Sequence, residues 1–104
     1  MEKNERILNL MQFARKAGKL TGGTDACLRE LHKKHLHLVI IAQDAAERTQ
    51  ARIRRELSAS GQKIQILVFG QRDKISAALG MPLTAVFGIS DKNFATKMIE
   101  YWQA

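Results

Sequence analysis

The sequence predicts an α/β protein: one domain, folded as a three-layer α/β/α sandwich around a small mixed, largely parallel central sheet. Three observations carry that expectation. Helix-like and strand-like segments alternate along the whole chain, the pattern of a sheet covered by helices on both faces. The runs LHLVIIA (Leu36 to Ala42) and KIQILVF (Lys63 to Phe69) are short and rich in β-branched residues, as strands buried on both faces are. The chain has 104 residues, 45% of them hydrophobic, which suffices for one core, and no Pro/Gly/Ser-rich stretch marks a linker.

Taken in order, Asn4 is placed to cap a first helix running to about Ala17. Ile7, Leu10, Met11, Ala14 and Ala17 lie on one side, Arg6, Arg15 and Lys16 face outward, and Gly18 suits the C′ position. Lys19 to Thr21 forms a short edge strand. Thr24 is placed to cap a second helix through about Lys33, with Leu28 and Leu31 directed to the core. After the Leu36 to Ala42 strand, Asp44 and Glu47 have the spacing of a capping box ahead of a basic helix that ends near Gly61 and buries Ala46, Ile53 and Leu57. The strand at Lys63 to Phe69 leads to a short helix, RDKISAALG, closed by Gly80, and then to a strand at Thr84 to Ile89. Ser90 or Asp91 caps a last helix whose apolar face is Phe94, Met98, Ile99 and Trp102. In open α/β sheets ligands gather where loops leave the carboxyl ends of strands, which directs attention to Thr21 to Thr24 and Gln43 to Ala46.

Charge narrows the class of partner. Seventeen Lys/Arg oppose ten Asp/Glu, and the excess is uneven: residues 1–55 carry a net +6 and residues 56–104 a net +1. A basic field of this kind favours a polyanion, and nucleic acid is the expected one. No run approaches the roughly 20 apolar residues of a membrane span, and the N-terminus lacks the apolar core of a signal peptide, so a cytoplasmic protein without membrane contact is expected. The single Cys27 agrees with a reducing compartment.

Motifs for enzymatic chemistry are missing. A nucleotide-phosphate loop needs G-x-x-x-x-G-K-[ST], but Leu20 follows Gly18-Lys19 and Phe13 stands five residues before Gly18. His32, His35 and His37 straddle a helix end, a turn and a strand, and no Cys group completes a metal site. Cys27 falls in the first turns of a helix, where a small apolar residue is usual, and Asp44, Asp73 and Asp91 read as helix caps. Two general features remain. GKLTGGTDACLREL, from Gly18, is a glycine turn feeding a helix N-terminus among cations, suited to phosphate. Arg48, Arg52 and Arg55 share a helical face that is either a phosphate-binding surface or a solvated one.

The block A-R-K-A-G-K (Ala14 to Lys19), the glycine loop, a strand running into A-x-D-A (Ala42 to Ala45), a helix ending in A-L-G (Ala78 to Gly80) and S-D-x-x-F-A (Ser90 to Ala95) together resemble the kink-turn RNA-binding ribosomal protein family, of the L7Ae/L30e type. The resemblance spans almost the whole chain. It implies an α/β/α sandwich and recognition of folded, often ribosomal, RNA. The family's G-x-N-E-x-x-K motif falls on Gly23 to Arg29, where Arg29 keeps the positive charge, Asp25 replaces Asn and Ala26 replaces Glu. A second family loop corresponds to Gly80 to Thr84. The expected function is non-enzymatic binding of structured RNA by a monomer without cofactor or metal, through Lys16, Lys19, Gly22, Gly23, Thr24, Asp25, Arg29, Gly80, Met81, Pro82 and Leu83. The alternative is a protein-interaction module of the translation or transcription machinery.

Overall fold

The computed structural model describes residues 2–104. Among the described residues, five helices and four strands follow one another as α1 (Lys3–Lys16), β1 (Leu20–Gly22), α2 (Thr24–His32), β2 (Leu38–Ile41), α3 (Glu47–Ser60), β3 (Gln65–Val68), α4 (Arg72–Leu79), β4 (Val86–Ile89) and α5 (Lys92–Gln103). The strands form one mixed sheet in the order β1-β4-β2-β3. Every predicted element is present, with each of the three core strands shorter than its apolar run.

Alternation along the strands sorts side chains into two cores, because successive residues of a strand point to opposite faces. Leu38, Ile40, Phe87 and Ile89 join Ile7, Met11 and Ala14 of α1, Ile75 and Leu79 of α4, and Ala95 and Met98 of α5. Val39, Ile41 and Val86 face the other way, onto Cys27, Leu28 and Leu31 of α2 and Ile53 and Leu57 of α3. The three layers are therefore α1/α4/α5, the sheet, and α2/α3. Two small residues predicted to be buried are not: Ala17 lies past the end of α1 and Ala46 precedes α3, and both are exposed, whereas Ala45 is buried.

The sheet is mixed, but its parallel character is narrower than expected. Only β2 and β3 pair in parallel; β4 is antiparallel to both β1 and β2. β1, β2 and β3 run the same way, and β4 is inserted between β1 and β2 in the opposite direction. The cause is the connection. The eight-residue α4 leaves from the end of β3, and the chain after Gly80 returns to that same end, where Val86 pairs with Ile41, so β4 must run back.

Three predicted caps are not found at their predicted positions. Asn4 lies inside α1, whose N-cap is Glu2; the first turn is held against α5 by Lys3 over the Trp102 ring and Arg6 over the Tyr101 ring, 5.1 and 5.3 Å from the ring centroids. Thr24 is the first residue of α2, and Gly23 takes the cap position. Asp44 does not open α3, which starts at Glu47. Its carboxylate instead accepts the backbone N–H of Arg72 at 2.9 Å and pairs with the Arg72 guanidinium at 3.4 Å, so it caps α4 from across the sheet edge. Asp91 behaves as expected and accepts the N–H of Phe94 at 2.9 Å.

Candidate nucleic-acid interface

Because β4 runs against its neighbours, one end of the sheet collects the ends of β1, β2 and β3 and the start of β4. Four connections meet there, and their backbones are tied together. Gly23 N–H donates to Val86 O at 2.8 Å, Ala42 N–H to Ala85 O at 2.9 Å, and Gln43 N–H to Gly70 O at 2.8 Å. The loops that the sequence singled out are therefore neighbours on a rigid edge.

The turn into α2 is made at Gly23, with φ 101° and ψ 148°. A residue with a Cβ is strained in that region, so the ladder of β1 can run up to Gly23 and α2 can begin at once only with glycine. The free N–H groups of the α2 N-terminus face the edge, and neither Gly23 nor Thr24 caps them with a side chain. Opposite lies the connection from α4 to β4. Gly80 adopts the left-handed conformation at φ 66°, which ends α4. The buried Ser76 hydroxyl then donates to Thr84 O at 3.0 Å and accepts Thr84 N–H at 2.9 Å, while the Thr84 hydroxyl donates to Pro82 O at 2.7 Å. Met81 lies against Gly22, filling the space where a side chain on Gly22 would stand. Pinned in this way, the loop presents Leu83 to solvent at 66% exposure, one of two large hydrophobic side chains so exposed among the described residues.

The predicted residues divide into groups. Gly22 lies against Met81 and Thr84, Gly23 is bonded to Val86, Thr24 and Asp25 lie toward α3, and Arg29 is exposed one helical turn from Asp25. Lys16 belongs to a neighbouring cleft with Phe13, Arg15, Ala78 and Leu79, and Arg15 reaches across it to donate to Gly80 O at 3.3 Å. Lys19 is not brought to this edge. Its carbonyl accepts Ser90 N–H at 2.9 Å, which places it at the opposite end of β1, about 13 Å along the strand from Gly23. The contacts of two site arginines were not foreseen from the sequence: Arg15 with Gly80, and Arg52 of α3 with Asp25, at 3.2 Å. The regular spacing of Arg48, Arg52 and Arg55 was a signal, but it did not say which helix they would face.

Beneath the edge, Cys27 is buried, and its thiol donates to Thr21 O at 3.7 Å. Burial, reinforced by the negative Glu30, pushes the thiol up to about 12, so it stays protonated and is a poor nucleophile. His35 pairs with Glu30 at 2.9 Å. Among the described residues, no group of three or more His, Cys, Asp or Glu side chains is placed to hold a metal ion.

The fold is thus an α/β/α sandwich with a glycine turn, a helix N-terminus and the α4–β4 loop gathered at one sheet end. Residues 5–99 match the Ribosomal protein L7Ae/L30e/S12e/Gadd45 family, and the chain belongs to that family. Its relatives include an RNA-binding protein YlxQ of Enterococcus faecium, 28% identical over 96 residues, an alignment that covers 92% of this chain and 90% of that one. Among solved structures, a protein of unknown function from Bacillus halodurans superposes with a TM-score of 0.86 at 23% identity, covering 94% of this chain and 97% of the other. A 15.5 kD RNA binding protein of Giardia lamblia superposes with a TM-score of 0.77 at 19% identity, covering 96% and 87%. These two likenesses establish the fold.

Proposed function

We propose that this chain is a non-enzymatic RNA-binding protein that holds structured, kink-turn-like RNA, ribosomal RNA being the first candidate, against the sheet end formed by Gly22 to Arg29 and Gly80 to Leu83. The observation that carries the reading is the contact of the two loops. Met81 on Gly22 joins an uncapped helix N-terminus, which favours phosphate, to an exposed apolar side chain, Leu83, on which an unstacked base can lie. Family membership and the name of the Enterococcus relative support it.

Selectivity in this reading comes more from shape and backbone than from base edges. Ala26 has no hydrogen-bonding side chain, and the Asp25 carboxylate is engaged by Arg52. Loss of one base contact removes roughly 1–3 kcal/mol of discrimination, by analogy with duplex readout. Filter binding across a salt series tests the site. Arg29→Glu is expected to weaken binding and lower the salt slope by about one phosphate contact, and Leu83→Ala to weaken it with the slope unchanged. Wild-type affinity and slope in both variants would rule this surface out.

A further inference from the structure

The proposed edge does not account for the arginines of α3. α3 carries Arg48, Arg52 and Arg55 at spacings of four and three, which puts them on one face, and all three are exposed. That face is turned toward α2: Thr24 lines the same shallow depression as the three arginines. Among the described residues, Arg48 and Arg55 have no carboxylate partner, although Glu47 and Glu56 lie on the same helix. Arg52 has one, and it comes from another helix, Asp25, the second residue of α2.

We infer that the α3 face is a second phosphate-binding surface, continuous with the loop edge through Thr24, and that Asp25 is its built-in counter-ion. The inference rests on the RNA-binding reading above and extends it to a second stretch of RNA backbone. From Arg48 to Arg55 the helix rises about 10 Å, the span of two or three successive phosphates. Guanidinium groups are suited to this, since each presents a planar fork of donors to phosphate oxygens. Asp25 fits a counter-ion better than a base-reading group. Its Oδ1 lies 3.2 Å from the Arg52 guanidinium, and the pair is open to water, with Asp25 75% and Arg52 48% exposed, so a phosphate can replace the carboxylate at small cost. In the free protein Asp25 occupies Arg52 and must yield it to the arriving backbone, so it limits affinity through Arg52.

Fluorescence anisotropy with one fluorescein-labelled RNA hairpin carrying an asymmetric internal loop, titrated at several KCl concentrations, tests this with the full chain. Arg48→Gln/Arg55→Gln is expected to weaken binding about tenfold and to lower the salt slope by about 1.4 to 1.8, the value for two lost phosphate contacts. Asp25→Ala is expected to tighten binding several-fold, a gain that disappears when Arg52→Gln is also present. A double arginine variant that binds like Lys92→Gln/Lys97→Gln, which removes the same charge from α5, overturns the second surface and leaves the loop edge standing. Weaker binding by Asp25→Ala overturns the counter-ion role. No binding by the wild-type chain overturns the RNA-binding reading, and this inference with it.

Discussion

Cys27 shows how closely the candidate edge is supported from below. Its Sγ lies within reach of the Thr21 carbonyl and against Gly88 of β4, where a Cβ would stand 3.2 Å from the sulfur, so glycine at 88 is what lets α2 approach the sheet. The buried thiol titrates near 12 in the folded chain and near its ordinary 9.0 when unfolded. The unfolded state thus releases a proton first as pH rises. The contribution is whole below pH 9.0 and is lost between 9.0 and about 12. Urea unfolding is expected to show the wild type losing about 1.4 kcal/mol more than Cys27→Ala for each pH unit within that window. In native buffer the thiol is expected to resist alkylation until the chain unfolds.

At the scale of elements, Ser76 decides whether the α4–β4 loop is a surface or a flexible strap. Its hydroxyl satisfies both the N–H and the C=O of Thr84, and no other side chain reaches that backbone in the described residues. Ser76→Ala leaves two polar groups unsatisfied and is expected to cost about 1–3 kcal/mol by chemical denaturation. Hydrogen exchange at Met81, Leu83 and Thr84 is expected to speed up more than exchange in β2, because the loop opens without the core. Most of the elements were legible in the sequence because their signals are local. Leu36 to Ala42 is too apolar to be anything but a covered strand, and Gly61 and Gly80 end α3 and α4 in the left-handed conformation that glycine at those positions predicted. What was not legible depends on partners distant in sequence. Asp44 has the spacing of a local cap, yet Arg72, 28 residues away, claims its carboxylate. The insertion of β4 between β1 and β2 is likewise a matter of where α4 returns the chain, which no periodicity encodes.

For the whole molecule, the arrangement explains why a chain with no catalytic motif is so unevenly charged. Residues 1–55, with net +6, supply α1, α2 and the first nine residues of α3, whose cations lie on both sides of the sheet: Arg15 by Gly80 and Lys16 in the same cleft, Arg48, Arg52 and Arg55 by Thr24. The glycine turn was legible as a candidate from its residues, and the Gly80 loop only through the family resemblance. Their contact through Met81 and Gly22, the Asp25 and Arg52 pair, and the removal of Lys19 to the far end of β1 were not, since each follows from strand order and helix packing. The proposed interface lies at one end of the sheet, and the other, near His37, Gln62 and Lys63, serves as an internal control. The most direct measurement is the change in backbone ¹H–¹⁵N shifts as the labelled protein is titrated with the internal-loop RNA hairpin. The account predicts the largest changes at Gly22 to Arg29 and Gly80 to Thr84, with His37, Gln62 and Lys63 unmoved; changes centred on those three residues, or none at the two loops, would contradict it.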